Sequence, residues 1–433
     1  MLFKGIGELI PLYALYAVLF ADHGLGTGQI SSLLAIWSAT AFLLEVPSGA
    51  WADTVSRRVL LVLSGVLLTA GFALWTALPT YSGFAVGFVL WGTSGALVSG
   101  TFEALLYDEL VARNAQPAYP RIVGYARAAS EAAVVVAIFV ATPLYIWGGY
   151  PLLGWCSVAI AAVHTLIGLT LPSAPKAVSA AAVEDLEDDV AEDDSASSSA
   201  MAARSATGRA VMAAALPTQS RPFATYLNML RTGVGEAIRV RAVRNGVALG
   251  ALLSGITAFD EYFALLAEEV GVATAVVPLL VGVTVIGSLV GSMLAGRTEG
   301  ASARTIAIAL GFGGVLFVGG ALVAGLAVRW PGAVYVLAGL GFTAIGASYG
   351  IVYNAGVVAG ARLQDAIEGP ARATVTSVSG LAAEVVALAV FGFAAMATMW
   401  LSMSTTLALL GASMLLIAMV TPGWLPRRAA ESG

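Results

Sequence analysis

The chain has 433 residues, 59% of them hydrophobic and only 11% charged, with a formal net charge of −5. A soluble globular chain carries about 25% charged residues, so an ordinary soluble domain is excluded and an all-α polytopic membrane protein is expected. The apolar runs are continuous and about 20 residues long, as spanning helices require, unlike the ~10-residue alternating segments of a transmembrane β-barrel.

In chain order, apolar runs of spanning length occupy residues 5–22, 29–52, 59–78, 83–107, 122–146 and 150–171, and then 245–266, 273–296, 305–326, 332–360, 373–396 and 399–421. The pattern is about twelve transmembrane helices in two groups of six. It divides the chain into an N-terminal six-helix bundle (1–171), a linker (172–244) and a C-terminal six-helix bundle (245–433). Basic residues set the orientation. With the N-terminus inside, Arg57, Arg58, Arg113, Arg121, Arg297, Arg304, Arg362 and Arg372 fall in inner loops and only Arg329 in an outer one. Both termini are therefore expected in the cytoplasm, with the protein a multi-pass resident of the cell membrane. In the linker, eight carboxylates between Glu184 and Asp194 precede Ser/Ala-rich sequence, which reads as a solvated, disordered run. Phe223, Leu227, Leu230, Val234 and Ile238 then share one face of an amphipathic helix that would lie along the lipid surface.

The halves repeat. A shift of 247 positions lays Gly24 on Gly271, Gly49 on Gly296 and Arg57 on Arg304. Two units repeated in one orientation imply a pseudo-two-fold axis along the membrane normal and a cavity between them.

Charges inside a bilayer are costly and face a cavity or a partner. Glu8, Glu45, Glu103, Glu131, Asp260, Glu261 and Glu384 all fall within apolar runs, and Tyr107 shares a helix face with Glu103. These groups are candidates for proton coupling or for binding a cation. Asp260 and Glu261 rank first, Glu103 and Glu8 next. One cysteine (Cys156) and two histidines (His23 and His164) offer no disulfide framework and no zinc constellation, and no cofactor is expected. With no P-loop and no nucleophile–base cluster, neither an ATP-driven pump nor a membrane enzyme is expected.

The stretch Gly49-Ala-Trp-Ala-Asp53-Thr-Val-Ser-Arg57-Arg58 resembles the loop 2–3 signature of the major facilitator superfamily. It keeps the glycine, the aspartate and the paired arginines, with Thr54 and Ser56 in place of a basic residue and a glycine. Ser99–Asp108 and Arg362–Ser377 look like a group of prokaryotic major facilitator proteins. The resemblance implies alternating access between two six-helix bundles. It also implies a gate in which Gly49, Asp53, Arg57 and Arg58 meet the start of the eleventh helix at Arg372. Further, it implies that the first helix of each bundle lines the cavity, hence the ranking of Asp260 and Glu261.

The expected function is secondary transport of a small organic molecule, proton-coupled, with export the favoured direction. Uptake by a symporter or facilitator is the alternative within transport, and a non-transporting sensor or scaffold the alternative outside it. The partners implied are the solute, protons and lipid, with no nucleic acid, for a monomer.

Overall fold

The structure, a computed structural model, describes residues 1–173, 175–176, 240–367 and 372–426; the acidic run and the amphipathic face at Phe223–Ile238 lie outside the described residues. The described residues form helices and no strand. Among the described residues, eleven spans are long and apolar enough to cross a membrane. One of them, Gln116–Thr170, has 55 residues, about 80 Å at 1.5 Å per residue and far beyond a ~30 Å hydrocarbon core. It breaks at Gly148 and Gly149, where the helical dihedrals are lost and Gly149 adopts φ +60°, a conformation only glycine takes without strain. Counting its two legs separately gives the twelve expected helices.

In chain order these are α1 (Leu2–Asp22), α2 (Thr27–Thr54), α3 (Arg57–Ala77), α4 (Tyr81–Val98 and Thr101–Ala112), α5 (119–147), α6 (150–170), α7 (Arg241–Glu269), α8 (Val277–Thr298), α9 (Ala303–Gly325), α10 (Val334–Ala366), α11 (Arg372–Ala397) and α12 (Met403–Trp424). Helices α3, α4 and the α5–α6 pair pack together, as do α8, α9, α10 and α12; α2 against α11 and α5 against α8 join the two groups.

Packing within the groups uses different means. Helices α1, α3 and α4 interlock through rings, with Trp75 fully buried among Tyr16, Phe20, Phe72 and Phe88 and its Nε1 donating to the Phe84 carbonyl at 3.0 Å. Between α8 and α10 the backbones themselves meet. A Cβ on Gly287 or Gly291 would run into the backbone of Gly346 or Gly350. Small residues permit this approach, which substitutes for a hydrophobic drive that lipid cannot supply.

The 247-position register holds in the backbone. Gly24 and Gly271 have φ +85° and +87°. Each sits in the same C-terminal turn: Leu25 N–H to Phe20 O at 3.1 Å, and Val272 N–H to Ala267 O at 3.0 Å. The carboxylates just before these turns also match. Asp22 accepts from the Tyr150 hydroxyl at 2.6 Å, while Glu269 accepts from the Met403 backbone N–H at 2.6 Å. Each thus ties the first helix of its half to the last.

Helices α1 and α7 are not continuous. Helix α1 runs Leu2–Glu8, then a 3-10 turn at Pro11–Ala14, then Tyr16–Asp22; α7 runs Arg241–Gly255, then 3-10 over Ile256–Tyr262, then Phe263–Glu269. Under the shift, Glu8 matches Gly255, Tyr16 matches Phe263 and Asp22 matches Glu269, so both helices leave and regain α geometry at equivalent residues. In α1 the cause is Pro11, which has no N–H to donate and fixes its own φ. In α7 no proline is present. There Gly255 lies so close to α11 that a Cβ would meet the Ala383 carbonyl and, at 2.5 Å, Val386.

Candidate functional site

Both interruptions face one cavity. It has a volume of about 160 Å³, and its walls include Tyr13 and Ala14 from α1, Asp260, Glu261 and Phe263 from α7, Ile138 from α5, Thr284 from α8 and Tyr349 from α10. Tyr13 and Asp260 occupy equivalent positions in the repeat, as do Ala14 and Glu261. The two 3-10 segments therefore present matched residues to the same space, one pair an aromatic and a small residue, the other two carboxylates. Unwound segments of this kind expose backbone and side chains where a straight helix would bury them, and they mark midplane binding sites.

Among the described residues, three side-chain hydrogen bonds join the halves, two of them at the 3-10 segment of α7. The Tyr16 hydroxyl donates to the Glu261 carboxylate. The Ser31 and Tyr262 hydroxyls share a hydrogen bond of 2.7 Å, with Ser31 buried. Between α2 and α11, the Ser38 hydroxyl donates to Glu384 at 2.5 Å. Tyr349 donates to the Thr257 carbonyl at 2.9 Å and so holds α10 against the unwound part of α7. Behind Tyr13 its ring stacks on Trp91 (centroids 4.9 Å apart), and Trp91 stacks on Trp37 (5.0 Å).

The other carboxylates divide by environment. Glu8 ends the first piece of α1 and neighbours Glu131 of α5, which is exposed. Glu45 is also exposed, accepts from Ser99 at 3.3 Å and lies near Glu384. Glu131 and Glu384 stand at equal depth, each twelve residues after the first residue of its helix. Glu103 is not in the cavity. It pairs with Lys4 at 2.9 Å, while Lys4 lies over the Phe102 ring, a cross-brace between α1 and α4. Tyr107 packs edge-on against Tyr119, also away from the cavity. His164 is buried and fully used, with Nδ1 2.9 Å from the Phe3 carbonyl.

The loop between α2 and α3 is built differently from a surface turn. Arg57 is buried, 3% exposed, and its Nη1 donates to Asp108 at 2.5 Å and to the Ala104 carbonyl at 2.8 Å. Asp108 is itself 1% exposed. It reaches this position because α4 breaks at Ser99–Gly100, where Gly100 has φ +65° and caps the second piece. Asp53 stands 3.8 Å from Arg57 with its side chain 41% exposed. Arg58 donates to the Leu169 carbonyl at the end of α6. Gly49 has open space where a Cβ would be. Beyond α6, Lys176 donates to the Val55 carbonyl at 2.7 Å, and burial, together with the Arg57 charge, pushes its pKa down. Arg372 begins α11, but its side chain lies outside the described residues. The structure thus brings Asp53 and Arg57 together, adds Asp108 as the buried partner of Arg57, and turns Arg58 to the end of α6.

A family model for the Major Facilitator Superfamily matches residues 2–358. The chain belongs to this superfamily. It is a transporter and not an enzyme, in keeping with both the family and the solved structures it resembles. A mutant of the nucleoside transporter NupG superposes with a TM-score of 0.68 at 12% identity, over 98% of each chain. An auto-inhibited peptide transporter of the POT family gives 0.64 at 14%, over 98% of this chain and 95% of that one. A D-xylose-proton symporter gives 0.59 at 16%, over the same shares. At such identities the likeness is one of fold. Comparison with curated proteins by sequence gives no match.

Of the residues that line this superfamily member's cavity, the sequence singles out Asp260 and Glu261 as candidates but not Tyr13 or Tyr349, because an aromatic residue in an apolar run looks like core. Only the repeat register, which sets Tyr13 opposite Asp260, carried a usable signal.

Proposed function

We propose that the protein moves a small organic solute across the cell membrane by alternating access, coupled to protons through Asp260 and Glu261. The observation that carries this reading is the pair of matched interruptions in α1 and α7, which turn two carboxylates into one central cavity. A carboxyl group there can gain and lose a proton as the surrounding water and solute change, and that exchange is what couples two fluxes. The halves 1–171 and 245–433 act as the moving units. The Tyr16–Glu261 and Ser31–Tyr262 bonds hold one side closed. On the opposite side Asp53, braced by Arg57 and Asp108, closes against the start of α11 at Arg372. Each contact binds one state better than the other, so each biases the equilibrium by its own free energy. The excess of loop arginines on the Asp53 side supports placing that side, and both termini, in the cytoplasm.

The test is flux in liposomes containing the purified protein and a pH-sensitive dye. A transported solute should shift the internal pH. Asp260→Asn should cut the proton-linked flux at least tenfold. Solute movement that ignores both the pH gradient and the two carboxylates would overturn the coupling.

A further inference from the structure

Resting on the transport reading above, we infer that the solute is a small organic cation, a protonated or quaternary amine with a ring-sized apolar body. Among the described residues, the cavity walls hold two carboxylates, Asp260 and Glu261, and no arginine, lysine or histidine. An anionic solute would be desolvated beside two negative groups with no cation to receive it, which burial makes prohibitive. A polyhydroxylated solute fares little better. Apart from the two carboxylates and the tyrosine and threonine hydroxyls, the walls are Val, Ile, Ala and Phe side chains, and a solute with many hydroxyls would leave several of them without a partner in exchange for water.

The remaining chemistry favours a cation on independent grounds. Tyr13, Phe263 and Tyr349 bring aromatic rings to the walls, and an ammonium group over such a ring gains from its quadrupole when water is excluded. The Tyr13 ring is held in place by the Trp91 ring stacked 4.9 Å away, itself backed by Trp37. The equivalence of Tyr13 and Asp260 in the repeat places the ring and the carboxylate in one cavity on opposite halves. One ammonium can thus take an ion pair from one half and a ring from the other. Each carboxylate is held by a tyrosine, Glu261 by Tyr16 and Asp260 by Tyr349, and each keeps acceptor sites for an ammonium group. Size follows from the volume of about 160 Å³, equal to roughly five water molecules of liquid at ~30 Å³ each.

Three isosteres decide the matter: phenethylamine, 2-phenylethanol and 3-phenylpropionate, which share a ring and differ in charge. Each is titrated calorimetrically into the purified full-length protein, with tryptophan fluorescence read in parallel. The amine alone should bind. Asp260→Asn should weaken it at least tenfold, and Tyr13→Leu severalfold, with Tyr13→Phe retaining affinity. Variants are accepted on monodispersity and melting temperature. Should Asp260→Asn not fold, the comparison of isosteres on the unaltered protein still decides. Binding of the alcohol or the carboxylate as tight as the amine, or no binding of the amine, overturns the proposal. A neutral solute that drives protons through Asp260 would sink the ligand class and leave the transport reading standing. An amine that binds selectively but moves neither itself nor protons in liposomes would do the reverse.

Discussion

At the scale of single residues, the two charges of the α2–α3 loop do different things. Arg57 and Asp108 are both almost wholly buried and paired. Removing one partner leaves a buried charge uncompensated, so Asp108→Asn should lower stability by about 3 kcal/mol, read as an earlier melting transition in detergent. The double change Arg57→Met with Asp108→Leu should cost less than the sum of the single changes, because both charges then leave together. Asp53 has its side chain 41% exposed and stands 3.8 Å from Arg57. Its replacement by Asn should change melting by less than about 0.5 kcal/mol and should slow transport, which separates a moving contact from a structural one. None of this division was legible in the sequence. There Arg57 and Arg58 are adjacent arginines in a short loop, and a count of basic loop residues treats them alike. What distinguishes them is the bend at Gly100, a tertiary event that brings Asp108 under Arg57.

At the scale of elements, hydropathy located all twelve spans, since a helix needs a fixed length of apolar sequence whatever it packs against. It could not locate the interruptions in α1 and α7. Apolar residues continue through both, and only Pro11 hints at the first. The second depends on how near α11 comes to Gly255, which no local pattern encodes. Gly287 and Gly291 of α8 lie four residues apart, as close helix packing needs, but that spacing does not name Gly346 and Gly350 of α10 as their partners. The contact gives a clear expectation. Gly291→Leu must push α10 aside and should destabilise the protein by about 1–3 kcal/mol. Gly339→Ala, on α10 where a Cβ meets nothing within 4 Å, should be neutral or stabilising by up to ~1 kcal/mol. Parallel melting curves in one detergent check both.

At the scale of the whole molecule, the contacts around Glu261 and Tyr262 bind the halves together on the side opposite Asp53. Losing one hydrogen bond of about 1 kcal/mol shifts a two-state equilibrium about fivefold. In a Cys156→Ser background carrying Thr284→Cys in the cavity wall, Tyr262→Phe should therefore speed labelling by an impermeant maleimide added on that side by about fivefold. An unchanged rate would mean that the Ser31–Tyr262 bond does not hold the closure. The symmetry behind these contacts was readable from the sequence, because Gly24 and Gly271 fell in register and both proved to be left-handed turns.

The unlike pairs Tyr13/Asp260 and Ala14/Glu261 have one more consequence. A dimer of two identical six-helix chains could place four carboxylates in its central cavity, or none, but never two on one wall facing rings on the other. Joining the halves in a single polypeptide removes that constraint, since each copy can then change alone. The difference in sequence between the halves is thus what permits a polarised cavity, and with it a preferred way round for any solute that enters.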